Sequence, residues 1–242
     1  MVLSEVEQGV WAVVKQGWQL YFECFRRIWP LMLVSSVVGT GVGWLQIQNP
    51  GDIDSSLGYS LLILVVSGYL NAILTLICLE HLLQKSVSIR DMAGPALRKL
   101  PMLVVVLLIF IFAFVIGLLL FLIPGFILMV TLFPAATLFV IRPMGAVGAI
   151  NESHQLVWGN YWRTANVYSL LTLTALIALI PVLILAATGE FGGLSLKDRG
   201  NLASGFIMPW ITGALTTVNL VLIHDLLLRK RGQSLAEYTR GV

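Results

Sequence analysis

Arg142-Pro143-Met144-Gly145-Ala146-Val147-Gly148-Ala149-Ile150-Asn151-Glu152-Ser153-His154-Gln155-Leu156-Val157-Trp158-Gly159-Asn160-Tyr161-Trp162-Arg163, followed by an apolar run from Thr164 to Ala187, decides how the rest of the chain is read. An amphipathic stretch rich in aromatics leads through a base into a segment long enough to cross a bilayer. Similar units open the chain and recur near its middle, so the sequence reads as repeats of a surface helix followed by apolar spans.

Composition agrees. Of 242 residues, 58% are hydrophobic and 11% charged, against roughly 45–50% and 25% in a soluble domain. A mean hydropathy of +0.91 excludes a single water-soluble core. The chain is read as one transmembrane domain spanning 1–242, because spans and their flanks use nearly all of it. A pI near 9.0 would suggest nucleic acid in a soluble protein. Here the bases flank apolar spans, so they set orientation and no nucleic-acid partner is expected. Met1 to Glu7 carries acid where a signal peptide carries base, which predicts an uncleaved cytosolic N-terminus. Cys24 and Cys78 are the only cysteines and read as small buried hydrophobes, not as a disulfide or metal pair.

Six stretches qualify as spans: about 30–47, 60–82, 101–122, 126–141, 165–187 and 205–228. The third and fourth are joined by Pro124-Gly125, with no room for a soluble loop. With the N-terminus inside, only Lys197 and Arg199 among the 15 basic residues fall outside, whereas Asp52, Asp54 and Glu190 do. Both termini are therefore expected in the cytosol.

A surface helix is expected before each pair of spans, all three on the cytosolic side. In the first, Val10, Val14, Trp18, Tyr21 and Phe25 recur at helical spacing, with Lys15, Gln19, Glu23, Arg26 and Arg27 opposite. The second covers roughly Ser88 to Leu100 and is interrupted by Gly94-Pro95. The third places Val147, Ile150, His154, Val157, Trp158 and Tyr161 together. The expected fold class is thus all-α and polytopic, with repeat-like units about 4–83, 84–142 and 143–230, a cytosolic tail 231–242, and approximate three-fold symmetry. Inside the spans, Ser35, Gly39 and Gly43 form a small-xxx-small ladder for close helix approach. Pro134, Pro181 and Pro209 are expected to kink their helices.

Chemistry has few places to reside. Glu80-His81 and His224-Asp225 lie near the cytosolic ends of spans. Together with Glu152 and His154 they could form a polar mouth for protons, a headgroup or a metal, although satisfied helix-end residues are the plainer reading. Asp225 and Arg229 are spaced to pair on one helix face. No metal-ligand spacing, cofactor motif, nucleophile elbow, P-loop or zinc signature occurs, so neither metal, cofactor nor enzymatic activity is expected.

The stretch Ile123-Pro124-Gly125, then Phe133-Pro134-Ala135, then Ser153, Leu156, Val157, Gly159, Trp162 and Arg163 resembles the central motif of YciC-type bacterial inner-membrane proteins and of the membrane module attached to some glycerophosphodiester phosphodiesterases. His224-Asp225-Leu226-Leu227-Leu228-Arg229-Lys230-Arg231-Gly232 is similar to that family's closing D-L-R-x-R-x-x-G stretch, with Leu227 where Arg is common. His154 likewise stands where an aromatic is usual. The motifs fall in the last three-fifths of the chain; the first part is similar in architecture only. The resemblance implies a six-span bacterial inner-membrane protein without an attached soluble enzyme.

The expected function is non-enzymatic engagement of phospholipid, anionic by preference, in lipid handling or envelope organisation. Arg26, Arg27, Arg98, Lys99, Arg163, Arg229 and Lys230 are the expected headgroup contacts, and Trp18, Trp29, Trp158 and Trp162 the interfacial anchors. A small-solute transporter or channel, and a scaffold subunit with a membrane-protein partner or a second copy of itself, are the alternatives.

Overall fold

A computed structural model describes residues 3, 6–48, 53–85, 88–120, 122–188 and 195–240, and among them every regular element is helical. In order these are α1 (Val10–Gln48), α2 (Ile53–Leu82), α3 (Ile89–Leu120), α4 (Leu122–Leu132), α5 (Ala135–Ile141), α6 (Ala146–Val157), α7 (Tyr161–Thr188), α8 (Leu196–Arg231) and α9 (Leu235–Arg240). Among the described residues five stretches are long and apolar enough to cross a membrane: Val10–Gln48, Gly58–Leu82, Ile89–Leu119, Ile123–Ile141 and Asp198–Arg231. They overlap the first four and the sixth of the expected spans; α7 lies where the fifth was expected but is not one of the five.

The first helix corrects the expectation of a flat surface helix followed by a separate span. α1 runs unbroken for 39 residues through Pro30, a rise of about 58 Å against a hydrocarbon core of about 30 Å. α3 likewise continues through Pro95 and Pro101. The reason is tertiary. The inward stripe of α1, Val13, Gly17, Leu20, Cys24, Ile28 and Met32, stays in phase across the joint, so packing holds the helix where proline alone would weaken it. A separate surface helix occurs among the described residues only as α6, where Gly159 at φ +90° turns the chain in a way an L side chain resists. The three units are therefore built differently, and the expected three-fold repeat is not seen.

α1 and α8 are the antiparallel spine. A Cβ on Gly39 would lie 2.7 Å from the Gly205 carbonyl oxygen, and one on Gly17 would lie 2.4 Å from a Val218 methyl. The Ser36 hydroxyl donates to the Phe206 carbonyl at 2.6 Å. The small-residue ladder thus works as expected, with α8 as its partner. Gly117 and Gly125 make the same kind of approach between α3 and α4, in a tight hairpin, but Pro124-Gly125, expected as its turn, lie inside the first turn of α4. At Phe133-Pro134 the fourth span divides into α4 and α5, and the Thr131 carbonyl next to this break accepts the Ser153 hydroxyl of α6 at 2.6 Å. α7 shows no such break at Pro181 and α8 none at Pro209. Cys24 and Cys78 are buried and unbridged. Asp52 and Glu190, expected beyond the far ends of the helices, lie outside the described residues.

Candidate functional site

The polar side chains gather at one end of the bundle, where the start of α1, the end of α2, the ends of α5 and α8, and the helices α6 and α9 meet. Asp225, near the end of α8, is only 1% exposed. A buried carboxylate is costly unless paired and hydrogen-bonded, and here every approach is occupied. Arg163 Nε donates to Asp225 Oδ2 at 2.9 Å and Arg229 Nε to the same oxygen at 3.0 Å. The Gln8 backbone N–H donates to Oδ1 at 2.9 Å.

The same two guanidiniums then bind the carbonyl of that residue. Arg163 and Arg229 both donate to the Gln8 carbonyl, and Arg229 also reaches Glu7 at 2.8 Å. Asp225 and two bases thus close on the backbone of Gln8, with Glu7 joining Arg229 from the same segment, fastening the stretch before α1 to the end of α8. The local Asp225–Arg229 pair was legible from spacing. Arg163, 62 residues away, and Gln8, which contributes its backbone, were not.

This clamp changes the reading of the expected headgroup contacts. Arg163 and Arg229 are 16% and 22% exposed and committed to Asp225. Lys99 Nζ donates to the Val140 carbonyl, meeting a carbonyl at the negative end of α5. Arg26, Arg27, Arg98 and Lys230 remain exposed.

The expected polar mouth is also divided. His81 meets Glu23 of α1 at 3.1 Å and Glu80 pairs with Lys85 at 3.2 Å. His224 accepts the Leu235 N–H at 3.0 Å, which turns α9 back against α8. Glu152 accepts from Arg231 at 2.8 Å and from the Tyr238 hydroxyl at 3.1 Å. His81, His224, Asp225 and Glu152 are thus joints between elements, while Glu80 pairs at the end of its own helix and His154 packs on Trp158 at the end of α6, so the six do not form one relay. Among the described residues no cluster of three or more His, Cys, Asp or Glu is disposed to hold a metal.

α9 completes this end. A reciprocal capping box starts it, with Ser234 N–H donating to Glu237 at 2.7 Å and Glu237 N–H to Ser234 Oγ at 3.2 Å. The Ser234 bonds hold the Glu237 carboxyl below its ordinary pKa. Tyr238 lies beneath the Arg142 guanidinium, 4.7 Å from the ring centre, and burial raises its phenol pKa against the opposing hydrogen bond with Arg142.

Where α6, α8 and the Gly159 turn meet, a pocket of about 370 Å³ opens to the surface, lined by His154, Gln155, Leu156, Trp158, Lys230 and Arg231. Its shape follows from α6. Ala146, Ala149, Ser153, Leu156 and Val157 face the bundle, leaving His154 and Trp158 outward with rings 5.1 Å apart. Arg231 is neutralised by Glu152, while Lys230 makes no ion pair among the described residues. The pocket thus has net positive character beside an indole that is 59% exposed. It unites three residues that sequence singled out, His154, Trp158 and Lys230, with Gln155 and Arg231, which carry no motif of their own.

The remaining anchors lie on α1, where Trp18 stacks on Phe22 at 6.0 Å and Trp29 is exposed, and at the start of α7, where Trp162 projects outward. Trp11, Trp18, Phe22, Phe25 and Trp29 share one face of α1, which adds Trp11 and Phe22 to the expected set. No protein-family model, curated protein or solved structure matches this chain.

Proposed function

We propose that this multi-pass protein binds anionic phospholipid at the cytosolic leaflet of a bacterial inner membrane, without catalysis, in lipid handling or envelope organisation. In this reading the chain has six spans, α7 supplies the fifth, and both termini are cytosolic because the basic end of the bundle faces that side. The pocket beside α6 is the observation that carries it. A headgroup phosphate can accept from Lys230 and Gln155 while Trp158 sits at the level of the glycerol esters, the depth that indoles prefer. Exposed Arg26, Arg27 and Arg98 extend the attraction across the same end, and the aromatic face of α1 anchors beside them. The quoted motif supports the same reading, since Leu156 lines the pocket, Gly159 turns the chain beside Lys230 and Arg163 belongs to the clamp behind it.

The test uses the full chain in nanodiscs of neutral phospholipid, titrated with phosphatidylglycerol. Removing one surface base, Lys230→Ala, should weaken retention about fivefold, the equivalent of roughly 1 kcal/mol. Lys230→Arg should retain it. Equal retention of neutral and anionic lipid by the unaltered protein would exclude the proposal.

A further inference from the structure

At the other end of the bundle a half-open groove of about 360 Å³ lies between α1, α2 and α8. It exists because the spine is pinched. Gly39 and Gly205 bring α1 and α8 into backbone contact, and the small side chains flanking that contact, Ser35, Ser204 and Gly43, leave a furrow that α2 does not fill. Along α1 the groove extends from Leu31 to Gln46, about 22 Å at a helical rise, which falls within the thickness of a hydrocarbon core. Its average section is therefore about 16 Å². That leaves room along its length for an extended hydrocarbon chain.

The chemistry of the walls points the same way. Among the described residues no ionisable side chain lines the groove. The hydroxyls of Ser67, Ser204 and Thr212 donate back to carbonyls of their own helices, Ile63, Asn201 and Met208, so they present carbon and not free donors. The Asn71 Oδ1 accepts the Thr216 hydroxyl at 2.7 Å.

Towards the basic end the groove is stopped where the Met32 methyl abuts Gly213 and Tyr21 reaches the Met32 sulfur at 3.6 Å. At the far end, near the last turns of α1 and the first of α8, two uncharged amides, Gln46 and Asn201, stand at the mouth. An apolar furrow at this depth can be filled neither by water, which would find too few partners, nor by vacuum, which forfeits dispersion contacts. A hydrocarbon chain fills it.

We infer that this groove holds one acyl chain of a glycerophospholipid from the leaflet opposite the basic end, with the chain terminus towards Met32 and the ester carbonyl at Gln46 and Asn201. The inference is independent of the headgroup pocket, which lies at the other end of the molecule.

The experiment reconstitutes the full chain in nanodiscs containing a phosphatidylcholine with a diazirine in its acyl chain, followed by photolysis and peptide mapping. Labelling is expected to concentrate on residues 31–46, 63–74 and 201–213. Val66→Phe and Val38→Phe, which fill the groove from α2 and α1, should each reduce that labelling to the level of the outward helix faces. Val37→Phe, on the exposed face of α1, should leave it unchanged. Whichever groove variant elutes as a monodisperse species decides the matter, and wild type alone decides if neither does. Labelling spread evenly over all lipid-facing helices, or undiminished by a folded groove-filling variant, overturns the inference.

Discussion

Replacing Asp225 by Asn tests the electrostatic centre of the molecule. In the native protein one carboxylate, 1% exposed, is the shared partner of two guanidiniums that are 16% and 22% exposed, so little solvent is available to replace it. Removing one partner of a buried ion pair costs about 3–5 kcal/mol, chiefly because the remaining charge is left uncompensated. Asparagine still offers an oxygen to the Gln8 N–H, and both arginines can lean towards water, which places the expected loss near the lower end, about 3 kcal/mol. At roughly 2–4 °C per kcal/mol for a chain of this length, the melting temperature should fall by about 6–12 °C. Tryptophan fluorescence during a thermal ramp of the protein in nanodiscs reads this directly. The Arg163→Met variant should also destabilise, but less than additively with Asp225→Asn, with a coupling of about 1 kcal/mol or more. A fall of under about 2 °C for Asp225→Asn, or strict additivity of the pair, would refute the account of Asp225 as the node joining the N-terminal segment to α7 and α8.

The α1–α8 spine gives a steric counterpart. Gly205→Leu places a side chain where a Cβ alone comes within 2.8 Å of the Gly39 carbonyl, and overpacking of this kind should cost at least about 1–3 kcal/mol, whereas Gly200→Leu, which meets open space, should be tolerated in the same melt. Acid should loosen α9. The Glu237 carboxyl titrates below its unfolded value, so its cap is fully present above the unfolded pKa and is lost as pH falls through the folded one. Amide exchange over 235–240 should accelerate in that window, and Glu237→Gln should remove the pH dependence while leaving exchange already fast.

Local information fixed much of the architecture. Apolar runs of bilayer length had no soluble alternative, and the positions of the spans follow from where those runs begin and end. Pro134 marked the division of the fourth span, Gly39 the close approach, and the four-residue spacing of Asp225 and Arg229 their pairing. Each is a property of neighbours along one helix or of backbone permission at one residue.

The surface segments show where that information stops. The apolar face assigned to the start of α1 ran through Val14, Trp18, Tyr21 and Phe25; Val14 and Tyr21 are buried, but the side that packs against the bundle is centred on Val13, Gly17, Leu20 and Cys24. Two faces were apolar, one small and one aromatic, and periodicity reports their sum. In α6 the same ambiguity hid the face of Ala146, Ala149 and Ser153 that faces the bundle.

By itself, then, the sequence determined that the chain is helical, that several of its runs are of bilayer length and apolar, and where its bases cluster, because helix formation and burial in hydrocarbon depend on residues within a few turns of one another. Only the tertiary structure decided that the first surface segment continues into its span, that Arg163 turns inward to Asp225 and the Gln8 peptide, and that Lys230 and Trp158 share a pocket. Those outcomes depend on which helices become neighbours, and pairings between charges far apart in sequence, or with a backbone amide that any residue could supply, leave no periodic trace.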